Sequence, residues 1–334
     1  MDWKDDNVLV TGATGFLGTW LTKALIERGA NVIALVRDEV PNAPIRTMGI
    51  YPKIHSIVRG DITNYDDVKR VFSDYAIDTC FHVAAQVIVG SAKQDPTTTF
   101  NVNIKGTWNV LEAARAWNNC KRIIVASTDK VYGQTKVPKE GLHEGLPLNA
   151  LFPYDASKVA VDVLSRTYSQ TYNLPIGVTR CCNIYGGGDL NFTRIIPGAI
   201  KSILMNQNPI IRSDGTPIRD FIHVDDAVSA YITLAEKIDK IDRNEPYGEA
   251  FNFGSNEKIN MLDLTNKIIQ VSGRKHLKPD VQGKAKPGFE IDEQWISAKK
   301  AKTKLGWEPK VKLEEGLKKT ISWYEDYFSK IGKY

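Results

Sequence analysis

The sequence predicts an α/β protein in which a doubly wound parallel sheet is joined to a smaller mixed C-terminal lobe. Three observations predict it. Short apolar runs alternate with helical patterns through the first half of the chain. A glycine-rich turn leads from the first of these runs into the first helix. After Gly186 the alternation gives way to short elements broken by Pro197, Pro209, Gly215 and Pro217.

Taken in order, Asn7–Thr11 reads as a strand, 18–28 as a helix and Asn31–Val36 as a second strand. Residues 55–58 form a third strand, 66–75 a helix, 78–83 a fourth strand and 121–126 a fifth. A single long helix over 99–117, with Pro96 just before it, separates the last two strands. A further helix covers 155–172, and 175–179 is the next strand. Continuous β-branched runs of this kind belong to parallel strands covered on both faces. Met261–Val271 and 313–327 have the spacing of amphipathic helices. The expected division places residues 1–180 in the sheet domain and 181–334 in the lobe, interleaved with it.

The 334 residues suffice for a sizeable core, and 42% hydrophobic with 25% charged content excludes a disordered chain. The net charge of +5 is spread among acids rather than gathered in a stripe, so nucleic acid is not an expected partner. No apolar run has the length of a membrane span, and the charged start, residues 1–7, does not resemble a signal peptide. Cys80, Cys120, Cys181 and Cys182 have neither disulfide-framework nor metal-ligand spacing, which points to a reducing cytoplasm and no metal.

Thr11-Gly-Ala-Thr-Gly-Phe-Leu-Gly18 places Gly12, Gly15 and Gly18 in a G-x-x-G-x-x-G turn between strand and helix. Glycines there allow a tight turn and a close backbone approach, so that helix-terminal N–H groups can meet a pyrophosphate. A tight turn without a ligand is the bland alternative. Where the second strand ends, Val36 stands at the place of a ribose-binding acid and Arg37 follows. An arginine suits a 2′-phosphate, so the reading leans to NADP; Asp38 keeps NAD open, and a solvated Arg37–Asp38 pair is the alternative. Gly60-Asp61-Ile62 suits adenine. Tyr154-Asp-Ala-Ser-Lys158 puts two side chains on one helical face. A neighbouring ammonium, with the positive nicotinamide, would depress the phenol and fit it to act as a base.

With Tyr154 and Lys158, four more segments resemble one family: His82-Val-Ala-Ala-Gln86, 103–115, Arg219-Asp-Phe-Ile-His-Val-Asp-Asp226 and Leu305-Gly-Trp-Glu-Pro309. It is the extended short-chain dehydrogenase/reductase family, specifically its nucleotide-sugar epimerases and dehydratases. The resemblance implies a Rossmann domain with a tightly held NAD(P), and a lobe that grips the nucleotide of a nucleotide-diphosphate hexose. It also implies a homodimer through a four-helix bundle built on the helices near 99–117 and 155–172. The implied cofactor contacts are Gly12, Thr14, Gly15, Phe16, Leu17, Gly18, Arg37, Asp61, Ile62, Ala84, Ala85, Gln86, Asn103, Tyr154 and Lys158. Thr128, Asn183, Arg194 and Arg219 are the implied substrate contacts. For Arg219 a salt bridge to Asp225 or Asp226 is the alternative.

Ser127-Thr-Asp-Lys-Val-Tyr-Gly133 resembles the CDP-glucose 4,6-dehydratases within that family. The implied cycle starts as Tyr154 takes the 4-hydroxyl proton and C4 loses hydride. Lys130, as a neutral amine, then removes the C5 proton, and Asp129, held protonated, donates to the departing 6-hydroxyl. An ordinary Asp129–Lys130 ion pair is the alternative. Arg219-Asp-Phe-Ile-His follows the general epimerase pattern, and Lys286-Pro-Gly stands where many relatives have Arg-Pro-Gly. The other readings are therefore a 4-epimerase or uronate epimerase with the same Tyr154 and Lys158, and a non-catalytic cofactor-binding regulator. His82 and His223 read as structural, and Trp117, Trp295 and Trp307 as core or interface.

Overall fold

A computed structural model describes residues 2–241, 249–283 and 291–331. Its strands are β1 (Asn7–Thr11), β2 (Asn31–Val36), β3 (Ser56–Arg59), β4 (Thr79–His82), β5 (Arg122–Ala126), β6 (Ile176–Cys181), β7 (Asn183–Tyr185), β8 (Ile210–Ile211), β9 (Ile218–His223), β10 (Ala250–Phe253), β11 (Lys258–Asn260), β12 (Asp280–Val281) and β13 (Glu293–Gln294). Its α-helices are α1 (Phe16–Glu27), α2 (Pro44–Thr47), α3 (Tyr65–Asp74), α4 (Val89–Gln94), α5 (Pro96–Phe100), α6 (Gly106–Trp117), α7 (Pro153–Tyr172), α8 (Ile195–Leu204), α9 (Val224–Glu236), α10 (Met261–Val271) and α11 (Leu313–Lys330).

Seven parallel strands form the main sheet in the order β10-β6-β5-β4-β1-β2-β3. This is a Rossmann-type doubly wound sheet, with the strand order reversing between β1 and β4. Successive side chains on a strand point to opposite faces, and the core divides accordingly. Val8 and Val10 of β1 pack with α1 and α9, whereas Leu9 packs with α3, α6 and α7 on the other face. The apolar continuity of these strands follows from this two-sided burial.

The chain beyond residue 180 also enters these layers. β10 is the seventh strand, and α9 packs against α1. A cut at 180/181 therefore does not separate the two cores. The lobe's own core joins α8, α10 and α11 through Ile200, Leu264, Leu317 and Tyr324, beside a small sheet built on β9.

The expected helix over 99–117 is present and starts at Pro96, but its winding is not uniform. α5 passes into a π turn, Asn101–Lys105, before α6 begins. Tertiary bonds account for the wide turn: the Asn103 side chain is engaged by Gln86 and Ser157, and the Thr107 hydroxyl donates to the Asn103 carbonyl at 2.6 Å.

Candidate active site

A cleft of about 1180 Å³ opens at the carboxyl ends of the strands, between the sheet and the lobe. Ligands of doubly wound sheets bind in this place, at the switch point beside β1. The glycine turn forms its floor. Gly12 has φ +73°, and a Cβ there would lie 2.8 Å from the Ala84 backbone. At Gly18 a Cβ would lie 2.0 Å from the Gly12 carbonyl oxygen. The turn is thus packed to a closeness that only glycine permits, and the N-terminus of α1 opens directly from it. The cradle fits a pyrophosphate.

Below the turn, the His82 ring bridges the hydroxyls of Thr11 at 2.8 Å and Thr107 at 3.0 Å. The Thr107 hydroxyl donates to Asn103, so it accepts from His82 Nε2, and Nδ1 is left to accept from Thr11. Burial drives His82 down to about 3, consistent with a neutral structural ring.

At the rim, Val36 is buried, while Arg37 and Asp38 are exposed and pair at 2.6 Å. The solvated pair expected as an alternative is therefore present, on residues that line the cleft. Asp61 and Ile62 also line it, and Asp61 Oδ1 accepts from the Thr63 backbone at 2.8 Å.

On the lobe side of the turn, Thr128 caps the short 3₁₀ turn 129–132, and its hydroxyl donates to Asp129 Oδ1 at 3.0 Å. Asp129 is 2% exposed, and its Oδ2 has no hydrogen-bond partner. Lys130 is half-buried. Pro153 occupies the first turn of α7, where its missing N–H costs nothing, and so places Tyr154 at the helix start. The Tyr154 side chain is hydrogen-bonded to Thr128. Thr128, Asp129, Lys130, Tyr154 and Lys158 all line the same cleft.

The electrostatics of Tyr154 correct one expectation. Burial pushes the phenol up from its ordinary value, and Asp129 and Asp155 push it further; Arg194 and the Thr128 bond pull it down. Lys158 is not among the groups that pull it down. Burial lowers its own amine to about 8, and Nζ donates to the Ala126 carbonyl at 2.8 Å. Within the protein alone the phenol is therefore not depressed.

Every expected site residue lines the cleft except Gln86 and Asn103. Asn103 is 1% exposed, and its amide clamps the Gln86 backbone (2.7 and 3.1 Å) and Ser157 (2.8 Å), behind the cleft wall. Asn183 donates to the Asp220 carbonyl at 3.1 Å, and Arg194 pairs with Asp189 at 2.9 Å. Arg219 donates to the Ile218 carbonyl. The carboxylates considered for it are engaged elsewhere: Asp225 with His223 and Lys319, Asp226 with the backbone of Lys310 and Val311. Lys286-Pro-Gly lies outside the described residues.

Asp155 and Gln294 at Lys130, together with Arg212 in the cleft wall, were not anticipated. Asp155 was in view inside the tyrosine motif. Gln294 carries no local signal. Trp117 and Trp307 are structural, donating to the Ile77 carbonyl and the Ser229 hydroxyl. All four cysteines are free and buried. Among the described residues no helix is long and apolar enough to cross a membrane, and no three metal-ligating side chains gather.

A glycine cradle at the switch point and a Thr–Tyr–Lys group facing it define a dinucleotide-dependent α/β site. Comparison with known proteins agrees: the family described as GDP-mannose 4,6 dehydratase matches residues 9–320, and the chain belongs to it. A trifunctional UDP-glucose 4,6-dehydratase/UDP-4-keto-6-deoxy-D-glucose 3,5-epimerase/UDP-4-keto-L-rhamnose-reductase of Arabidopsis thaliana is 30% identical over 97% of the chain. The chain spans about half of that relative's length, 48%. A UDP-glucuronate 4-epimerase of Thermodesulfobacterium geofontis (strain OPF15) is 30% identical over 95% of this chain and 96% of its own. The crystal structure of a dTDP-glucose 4,6-dehydratase from Bacillus anthracis str. Ames, in complex with NAD, aligns with a TM-score of 0.81 at 26% identity, covering 96% of this chain and 97% of the other. The relatives thus include both sugar-nucleotide dehydratases and epimerases, and the dTDP-glucose 4,6-dehydratase among them is a complex with NAD.

Proposed function

We propose that this chain is a nucleotide-sugar 4,6-dehydratase that forms a 4-keto-6-deoxyhexose. One observation carries the reading: a buried carboxyl with an open oxygen, Asp129 Oδ2, shares the cleft that holds Thr128 and Tyr154 with an amine, Lys130. An epimerase has no leaving group to protonate and needs no such pair.

In this reading residues 1–180 hold the cofactor and 181–334 the nucleotide. Gly12, Gly15 and Gly18 present backbone to the pyrophosphate. Arg37 faces a 2′-phosphate, which favours NADP, whereas Asp38 would serve a free 2′-hydroxyl. Asn183, Arg194 and Arg219 take the substrate diphosphate, since guanidinium forks match phosphate oxygens. When bound, the dinucleotide accepts two electrons from C4 and later returns them to C6. Thr128 orients the 4-hydroxyl and Tyr154 accepts its proton. The 4-ketone acidifies C5, and Lys130 removes that proton. Asp129 then donates its proton to the 6-hydroxyl, which leaves as water, and Lys130 returns a proton to C5.

Incubation with CDP-, dTDP-, UDP- and GDP-hexoses tests the reading. The expected product has lost one water and shows the alkaline absorbance of a 4-keto-6-deoxy sugar. An isobaric product without a ketone supports the second reading, a 4-epimerase, which the near full-length match to a UDP-glucuronate 4-epimerase favours. Lys130→Met should still oxidise C4 and stall before water loss, about 10²–10⁴-fold down in turnover.

We also propose a homodimer: Phe100, Trp108, Val163 and Tyr172 expose apolar surface on α5, α6 and α7. Light scattering should give twice the chain mass. Buried free thiols support a reducing, cytoplasmic setting.

A further inference from the structure

The Asp129–Lys130 pair is completed in the fold by a side chain from the far end of the chain. β13 pairs in parallel with β9, with Gln294 opposite Arg219. The Gln294 side chain is fully buried. Its Oε1 accepts from Lys130 Nζ at 3.3 Å, and its Nε2 donates to the Asp129 backbone carbonyl at 3.1 Å. One amide therefore grips both members of the pair, across 164 residues to Lys130 and 165 to Asp129.

We infer that Gln294 is a positioning residue that aims the Lys130 amine at the reacting carbon. The inference rests on the dehydratase reading and deepens it. Lys130 sits on a flexible four-carbon stem, and the charged groups near the pair are carboxyls: Asp129 on its own turn, Asp155 at the start of α7 and Asp220 on β9. Asp155 Oδ1 is buried without a partner and its carboxyl interacts with Lys130, so the amine has a competing anion to turn toward, whereas burial and Asp129 push Asp220 toward its neutral acid. A neutral amide offers a fixed acceptor whether the amine carries two protons or three. A carboxylate in its place would favour the ammonium and oppose the base. Glutamine thus supplies direction without charge. The ladder also matters, because β9 carries Arg219, which this reading assigns to the substrate diphosphate. The phosphate grip and the aim of the base are then set by one pair of strands.

The test uses the full-length protein with its cofactor and measures three steps for each variant: appearance of reduced nicotinamide, solvent deuterium uptake at C5, and water loss. In Gln294→Met, matched in volume, C4 oxidation and KM should stay within about threefold, while deuterium uptake and water loss fall about 10²-fold, the cost of a base misplaced by about 1 Å. Gln294→Glu should displace the acidic limb of the pH–rate profile to higher pH, which a structural role would not do. Melting curves and nucleotide binding control for folding. Should Gln294→Met misfold, the Gln294→Glu profile decides. As a readout independent of turnover, acetylation of Lys130 should rise severalfold in Gln294→Met relative to exposed lysines. Unchanged deuterium uptake in Gln294→Met, or a Gln294→Glu profile that superimposes on the parent's, overturns the inference and leaves the dehydratase reading intact. A parent protein that neither exchanges C5 nor loses water overturns the dehydratase reading, and the inference with it.

Discussion

Two lysines line the same cleft and are held in different ways. Lys158 is 4% exposed, its Nζ donates to a backbone carbonyl, and burial with no compensating anion brings it down to about 8. Lys130 is half-buried, its Nζ donates to the Gln294 amide, Asp129 precedes it in the chain and the Asp155 carboxyl lies near it in the fold. Desolvation disfavours the charged form of a buried amine, which is what lowers Lys158. The first surrounding makes an amine that changes charge near neutrality beside the phenol. The second makes one whose direction is set by neighbours from three separate segments. The same residue type is tuned by burial in one place and by geometry in the other.

The largest expected effect lies on the Lys158 side. In the proposed cycle Tyr154→Phe removes the oxygen that takes the substrate proton, and turnover should fall about 10³–10⁴-fold. The phenol's bond to Thr128 is a small loss, so the melting temperature should stay within a few degrees. A variant that retained a tenth of the parent rate would remove Tyr154 from the mechanism. Next in size is the linkage at Lys158. Its folded amine titrates near 8 against an ordinary 10.5. Between those values the unfolded chain holds a proton that the folded chain lacks, so this group's contribution to stability rises with pH through that window. Below about 8 the full cost, on the order of 3 kcal/mol, is present. Lys158→Met should therefore be the more stable protein at pH 7, by about 1–2 kcal/mol once the lost Ala126 bond is counted. That advantage should disappear above pH 10.5, while activity is lost at every pH. Denaturant melts across this range check the sign, and a Lys158→Met protein less stable at pH 7 would break the contrast between the two lysines.

The same contrast governs what the sequence revealed. The glycine turn, the Thr128–Lys130 run and the Tyr154–Lys158 spacing are local patterns, and each lies in the cleft. Six of the seven sheet strands were legible because two-sided burial writes them as apolar runs. β10 was not, since Ala-Phe-Asn-Phe is only four residues long. The π turn in 101–105 depends on Asn103 reaching Gln86, which no helical periodicity encodes. Gln294 was invisible for the same reason: its meaning comes from β13 pairing with β9, far from Lys130 along the chain. The upward push on Tyr154 was missed because Y-x-x-x-K spacing reports the neighbouring cation and not the depth of burial.

The smallest expected effect, on the Lys130 side, sharpens the contrast most. Asp155 is raised from 3.8 to about 6, chiefly by burial, with Lys130 pulling it down and Asp129 pushing it up. Here the folded chain keeps a proton that the unfolded chain has released, so the contribution to stability falls as pH rises from about 4 to 6. Above 6 the cost is fully present. Asp155→Asn should gain on the order of 1 kcal/mol at pH 7 and nothing below pH 4. The substitution also removes an anion that competes with Gln294 for the Lys130 amine. If the amide alone sets the direction, C5 deuterium uptake should survive in Asp155→Asn within about threefold and collapse in the double variant with Gln294→Met. Equal losses in Asp155→Asn and Gln294→Met would instead make the carboxyl an equal partner in aiming the base.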